Sequence, residues 1–471
     1  MASTQYDFGM IGLGVMGQNL LLNMADHGFA VIGFDKDLAK GAALESKATA
    51  GTTVKGVGSM EEMVKGLKTP RKMIMLVPAG KPVDDVIESV LPFLEKGDIV
   101  IDGGNSYFAD TLRRVKYVEE KGFHFMGMGV SGGESGARSG PAIMPGGDVE
   151  AWNEVKPVLE AISAKVNGEP CVAYMGKDAA GHYVKMVHNG IEYAIMQLIS
   201  ETYDILKRRL GLNNDELHNV FSKWNEGPLK SYLIEITAQI FTKKDTDTDN
   251  FLVDMILDKA GSKGTGKWTS QEAMNLGVAI PNIDMAVAMR TVSAFKDERI
   301  KAHEMYAPAT PAHFDGNKEE KIAQIGSALF ASIILCYAQG LAMLTHASAD
   351  MKMDIPMQDA VKVWRGGCII RSVLLETFYA AYQANPQLSN ILLDEKMATE
   401  LKANVHDLRL VATDALQNGI GATALCAALT YFDNYTNDRM PINLLQAQRD
   451  FFGAHTYQRI DKPGIFHTEW E

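Results

Sequence analysis

The run Gly12-Leu-Gly14-Val-Met-Gly17 constrains this chain more than any other feature, because of what stands on either side of it. Phe8-Gly-Met-Ile11 before it has the short apolar pattern of a buried strand, and Gly17–His27 after it has helical spacing. In that setting Gly12 permits a tight turn, Gly14 lets the backbone approach a pyrophosphate, and Gly17 lets helix and strand pack closely. Amides at the helix N-terminus then face the phosphates of a dinucleotide. Ala30–Phe34, Lys72–Val77 and Asp98–Asp102 read as further strands, with a helical segment at Pro82–Glu95. This alternation predicts a parallel, doubly wound sheet.

Asp35 closes the second strand 18 residues beyond Gly17, where an acidic side chain commonly accepts hydrogen bonds from the adenosine ribose. A carboxylate there repels a 2′-phosphate, and Asp37 adds a second negative charge, so the residues favour NAD. Lys36 between them leaves NADP open, since it reaches a phosphate if both carboxylates turn away.

From about residue 179 the strand pattern gives way to successive helical patterns. The expected organisation is a Rossmann-like dinucleotide-binding domain over 1–178, a large helical domain over 179–438 and a C-terminal tail over 439–471 that docks on a second subunit. The helical part carries an internal repeat. Val220–Gly227 with Lys230–Glu235 resembles Val361–Gly367 with Arg371–Glu376, and Tyr193-Ala194 upstream matches Tyr337-Ala338. Ile325–Leu344 is long and uncharged enough to raise the question of a membrane span. Its Ser327, Ser332, Tyr337 and Gln339, and its isolation, predict a buried helix instead.

With 46 basic and 58 acidic side chains the formal charge is −12, which argues against a general nucleic-acid binder and requires any anionic ligand to be held by a local cationic cluster. Cys171, Cys336, Cys368 and Cys426 form neither a CxxC pair nor a disulfide framework, and no metal-ligand spacing appears. The N-terminus shows no basic segment followed by a cleavable apolar core, so the expected location is the cytoplasm.

Lys185, His188, Asn189 and Glu192 fall at i, i+3, i+4 and i+7, one face of a helix whose flanks are apolar nearly all round. Inside a domain such groups need partners or a ligand. The repeat is an internal control: aligning Tyr193 with Tyr337 places Leu329, Ser332, Ile333 and Cys336 opposite the four, so the second copy has no charged stripe. Lys185 and Glu192 stand about 10 Å apart along the axis, a spacing suited to bracketing a small substrate. A buried lysine of lowered pKa can act as a base, and a glutamate can return the proton. Lys263-Gly-Thr265-Gly-Lys267 is a glycine-flanked basic loop able to hold a phosphate, and Arg290, Arg449 and His455 are further candidate anion contacts.

Together these segments resemble the 6-phosphogluconate dehydrogenase family. The likeness runs through Gly12–Gly17, Asp102-Gly-Gly-Asn105-Ser, Gly129-Val-Ser131-Gly132-Gly133-Glu, Met144-Pro-Gly-Gly147, Lys185–Tyr193, Lys263–Trp268, Trp364–Arg371 and Leu445–His455. The resemblance implies oxidative decarboxylation of 6-phosphogluconate to ribulose 5-phosphate with NADP and no metal, in a homodimer whose tail completes the partner's site. It implies Lys185 as general base and Glu192 as the acid that protonates the enediol. Asn105, Ser131, Gly132, Gly133, His188 and Asn189 would position the sugar acid. Tyr193, Lys263, Thr265 and Arg290, with Arg449 and His455 from the other subunit, would bind the phosphate end. The cofactor would lie along Gly12, Leu13, Gly14, Val15, Met16 and Gly17, with Asp35, Lys36 and Asp37, then Val77, Pro78 and Ala79, and Asn105.

Two departures stand out. Asp35-Lys36-Asp37 replaces the Asn-Arg-Ser or Asn-Arg-Thr usual in NADP-using members, and Val77-Pro78-Ala79 lacks the lysine often found there. Two alternatives remain: a β-hydroxyacid dehydrogenase acting on a non-phosphorylated acid, and a dinucleotide-sensing dimer without turnover.

Overall fold

A computed structural model describes residues 5–308 and 310–470. Seven strands form one sheet: β1 (Phe8–Ile11), β2 (Val31–Phe34), β3 (Val54–Val57), β4 (Lys72–Met75), β5 (Ile99–Asp102), β6 (His124–Ser131) and β7 (Ala142–Gly147). Their order is β3-β2-β1-β4-β5-β6-β7. The first six are parallel, and β7 runs antiparallel to β6, so the sheet is mixed rather than wholly parallel as the alternation predicts. Hydrophobic periodicity carries no information on strand direction, and the short helical turn Gly133–Ser139 between β6 and β7 lets the chain double back. Helices α1 (Val15–Asp26), α2 (Leu38–Leu44), α3 (Met60–Gly66), α4 (Lys81–Val90), α5 (Phe108–Glu119), α6 (Gly133–Ser139) and α7 (Val149–Ile162) accompany the sheet. Apolar strand residues such as Met10, Ile74, Ile101 and Met128 are fully buried. Strand order reverses between β1 and β4, and a crevice opens there at the carboxyl ends of the strands.

The remaining chain is helical: α8 (Ala180–Asp204), α9 (Asn214–Trp224), α10 (Tyr232–Ile240), α11 (Leu252–Met255), α12 (Thr265–Leu276), α13 (Pro281–Ala294), α14 (Lys296–Tyr306), α15 (Lys318–Asp350), α16 (Met357–Trp364), α17 (Leu374–Ala384), α18 (Glu395–Gln417), α19 (Thr423–Tyr435) and α20 (Ile442–Gly453). The series α8–α9–α10 is repeated by α15–α16–α17, and the two copies meet at equivalent residues. Ser231 bridges Ser372, Tyr232 N–H donates to Arg371 O (3.1 Å), and Val373 N–H donates to Lys230 O (3.1 Å). This reciprocal pair of bonds marks a local two-fold relationship between the copies. Helix α15 is the one helix among the described residues long and apolar enough to cross a membrane, and 94% of its apolar window is buried inside the protein.

Candidate active site

Helix α8 lies directly on the sheet because glycines remove the side chains between them. A Cβ on Gly129 of β6 would stand 2.3 Å from Lys185 Cβ, and one on Gly181 would stand 2.2 Å from Gly127 O. The close approach places the α8 stripe beside the C-terminal end of β6, where Ser131 Oγ lies 3.4 Å from His188 Nε2. His188 is wholly buried, its ring set edge-on to Trp364. Its Nδ1 lies 3.3 Å from Lys185 Nζ, 3.2 Å from Asn189 Oδ1 and 3.9 Å from Glu192 Oε2.

Burial dominates the electrostatics here. It lowers Lys185 to about 8 against the pull of Glu192. Burial, with Lys185 adjacent, holds His188 well below the usual imidazole value, so the ring is neutral. Burial raises the Glu192 carboxyl, while Lys185 and Arg290 pull it the other way. A lysine poised to lose its proton and a glutamate disposed to keep one are set on the same helix face, with a neutral histidine between them.

One turn further along α8, Tyr193 meets the basic loop. Its hydroxyl lies 3.1 Å from Ser262 Oγ, and the Arg290 guanidinium sits 3.4 Å over its ring. Thr269 Oγ1 donates to Met186 O (3.0 Å), which pins α12 to α8. The N-terminus of α12 at Thr265, with exposed Lys263 before it, therefore opens beside Tyr193 and Arg290. Helix-terminal amides and two cations there suit a phosphate.

The crevice at the strand switch is a cleft of about 510 Å³ lined by Gly12, Gly14, Asp35, Lys36, Val77 and Pro78, and also by Lys40, Met60, Pro82, Val86 and Ser89. Lys40 and the four that follow were not foreseen; they come from α2, α3 and α4, and only their convergence in space reveals them. Gly12 has φ 94°, and a Cβ on it would stand 2.5 Å from Leu76 O. A Cβ on Gly17 would stand 1.9 Å from Gly12 O, whereas one on Gly14 would meet nothing within 4 Å, which leaves open space in front of the α1 N-terminus. Asp35 Oδ2 accepts from Leu13 N–H (2.7 Å), Oδ1 accepts from Asp37 N–H (2.8 Å), and Lys40 Nζ lies 3.6 Å away. A carboxylate has room for further donors, so these contacts leave Asp35 able to bind ribose hydroxyls. Leu13 is buried, Met16 packs on the core, Val15 and Ala79 are exposed, and Asp37 caps α2 through Ala39 N–H.

Asn105 is exposed on the loop after β5. Gly132, with φ 122°, caps α6 just before Gly133 and packs against Gly367 O. Arg449 and His455 are exposed on the tail: Arg449 bonds Gln446 and His455 stacks edge-on with Phe452. Among the described residues no hydrogen bond or ion pair joins either to the α8 stripe. His124, Asp148 and Glu150 cluster at the opposite end of β6, outside both clefts.

A Rossmann-type crevice beside a buried lysine and glutamate on a duplicated helical domain defines a dinucleotide-dependent oxidoreductase. Residues 7–176 match the NAD binding domain of 6-phosphogluconate dehydrogenase, and residues 181–470 match the 6-phosphogluconate dehydrogenase C-terminal domain. The chain is 52% identical over 467 residues to the NADP(+)-dependent, decarboxylating 6-phosphogluconate dehydrogenase of Bacillus subtilis, covering 99% of each. It is 47% identical to a decarboxylating 6-phosphogluconate dehydrogenase of Dictyostelium discoideum, covering 100% of this chain and 97% of the relative. The solved Plasmodium falciparum 6-phosphogluconate dehydrogenase, studied apo, with its cofactor NADP+ and with its substrate 6-phosphogluconate, superposes with a TM-score of 0.96 at 44% identity, covering 98% of this chain and 100% of that one. The chain belongs to the 6-phosphogluconate dehydrogenase family.

Proposed function

We propose that this protein oxidises 6-phospho-D-gluconate and releases CO2 to give D-ribulose 5-phosphate, the decarboxylating step of the pentose phosphate pathway. The observation that carries the reading is the buried Lys185, lowered to about 8, on one helix face with Glu192 and bonded through His188 to Ser131 at the strand ends. Bound along Gly12–Gly17, a nicotinamide dinucleotide supplies the hydride acceptor. Neutral Lys185 takes the proton of the C3 hydroxyl as hydride leaves that carbon. The resulting ammonium polarises the new ketone, which lies β to the carboxylate and accepts the electrons freed as CO2 departs, so the scheme calls for no metal. Glu192, whose carboxyl is raised by burial, delivers a proton to the enediol carbon. Asn105, Ser131, Gly132, Gly133, His188 and Asn189 orient the sugar acid, while Tyr193, Lys263, Thr265 and Arg290 hold the phosphate.

For the cofactor, the relative from B. subtilis is NADP(+)-dependent. Asp35 and Asp37 in this chain favour NAD, with Lys36 and Lys40 the cations nearest the adenosine end. The active unit is a cytoplasmic homodimer in which Arg449 and His455 of a second copy complete each phosphate site. Exposed Leu444, Leu445, Phe451 and Phe452 on α20 support this, because a helix so apolar requires cover. The test is kcat/KM with NAD and with NADP at saturating 6-phosphogluconate, following CO2. Turnover with NAD preferred is expected; strong NADP preference overturns the reading of Asp35, and no CO2 from either overturns the activity.

A further inference from the structure

Arg114 is the most deeply buried lysine or arginine among the described residues, 1% exposed, yet it lies on α5, away from the α8 stripe. Its guanidinium grips the loop after β4. Nε donates to Asp84 Oδ1 (2.8 Å), and Nη2 donates to Asp84 Oδ2 (3.1 Å) and to Gly80 O (3.0 Å). Gly80 ends the segment that begins at Val77 on the dinucleotide cleft, and Asp84 sits in the first turn of α4. The third nitrogen, Nη1, has no hydrogen-bond partner and lies 3.7 Å from Asp102 Oδ2.

Asp102 is the last residue of β5 and is wholly buried. Its Oδ1 accepts from Gly104 N–H (3.0 Å) and its Oδ2 from the Ser106 hydroxyl (2.5 Å), so one carboxylate fixes the backbone on both sides of exposed Asn105. The two loops also touch, since a Cβ on Gly104 would stand 3.3 Å from Val77 O. Arg114 thus stands between two carboxylates, Asp84 at the start of α4 and Asp102, which fixes the Asn105 loop, and itself holds Gly80 O of the other loop. Filling space alone would favour an apolar side chain here, because burying a guanidinium between carboxylates carries a large desolvation cost. Hydride transfer, in contrast, needs donor and acceptor carbons held about 3–3.5 Å apart, and a misplacement of about 1 Å costs roughly a hundredfold in rate.

We propose that Arg114 is a positioning residue that locks the Val77–Gly80 segment and the Asn105 loop into one unit, fixing the nicotinamide side of the cleft against the sugar-acid side. The inference rests on the reaction proposed above. The test uses full-length Arg114→Lys, which keeps the charge and loses the fork, and Arg114→Gln. Each is assayed per folded molecule with 6-phosphogluconate deuterated at the carbon that loses hydride. We expect kcat to fall about 10- to 100-fold with the isotope effect on kcat rising, KM for the substrate nearly unchanged, and Arg114→Lys the milder of the two. Variants that keep the parental kcat and isotope effect, whatever their Tm, overturn it. Should neither variant fold, amide exchange in the parent decides. Cofactor added alone is expected to slow exchange in 76–84 and 102–106 together, and protection confined to one segment overturns the coupling. A parent that releases no CO2 instead overturns the proposed reaction, and the exchange measurement still tests the coupling.

Discussion

His188 Nδ1 lies 3.3 Å from Lys185 Nζ and 3.9 Å from Glu192 Oε2, so one neutral ring spans the gap between the base and the acid. The 10 Å axial spacing estimated from seven helical residues is real along the backbone, but the side chains lean toward this ring. Nδ1 faces both Lys185 Nζ and Asn189 Oδ1, and Nε2 faces the Ser131 hydroxyl at 3.4 Å, so the ring links the base to the strand end. The base must be neutral to act, and Lys185 titrates at about 8. We therefore expect kcat/KM to rise as pH increases through about 8, measured by initial rates between pH 6 and pH 10. A flat profile across that window would rule out Lys185 as the base.

The same burial makes Lys185 costly to the fold. A lysine whose folded pKa is depressed from 10.5 to about 8 destabilises the native state below pH 8, where both states are charged, and the penalty fades as pH rises from 8 toward 10.5. The shift corresponds to something on the order of 3 kcal/mol. Lys185→Met is expected to raise Tm at pH 7 while abolishing turnover, with the gain shrinking at pH 10. A lower Tm at pH 7 would count against it.

Arg290 and Tyr193 form a stacked pair beside the α12 N-terminus, and neither touches the base. Their contribution should therefore be to binding at the phosphate end. Arg290→Met is expected to raise KM for 6-phosphogluconate about 10- to 100-fold, the range for losing a charge-assisted contact, with a smaller fall in kcat. Activity on gluconate, which carries no phosphate, is expected to be the same in the variant and the parent. An unchanged KM would remove the phosphate from this end of the site.

What the sequence revealed divides along a physical line. The Gly12–Gly17 loop and the Lys185–Glu192 stripe are local: each lies within one turn or one helix, where spacing alone dictates which side chains meet. The repeat was legible for the same reason, and its reciprocal bonds at Ser231 and Ser372 are simple pairings of residues already aligned. Contacts between elements were not legible. Nothing in the order of residues announces that Ser131 meets His188, that Arg114 stands between Asp84 and Asp102, or that Ser89 and Lys40 line one cleft. Strand β3 escaped notice because Lys55 and Gly56 interrupt its apolar pattern, leaving Val54–Val57 short and partly exposed.

At the adenosine end, Asp35 is held rigidly by the amides of Leu13 and Asp37, so it cannot swing away from a 2′-phosphate without losing both bonds. That favours repulsion over accommodation. Asp35→Asn with Lys36→Arg removes the charge and adds a guanidinium fork suited to phosphate. The pair is expected to shift the NADP-to-NAD ratio of kcat/KM toward NADP by about 10- to 1000-fold, one to two contacts' worth. A ratio that does not move would place specificity elsewhere in the cleft.

The tail offers the sharpest test of a shared site. Asp450 is buried within it and accepts from Thr456 N–H, His467 Nδ1–H, Thr468 N–H and Trp470 Nε1–H. Burial alone would raise its carboxyl, but these donors hold it at about 2. The tail is thus internally ordered while Arg449 and His455 remain exposed on it. In a homodimer that exchanges tails, a Lys185→Ala subunit lacks the base of its own site, and an Arg449→Ala subunit spoils the phosphate contact of its partner's. A mixed dimer then gathers both defects in one site and leaves the other intact. At a 6-phosphogluconate concentration low enough that each variant alone turns over little, refolding equal amounts of the two together is expected to restore about a quarter of parental activity, as random pairing in a two-fold dimer requires. If each tail served its own chain, no mixture would contain an intact site, and activity would stay at the level of the separate variants.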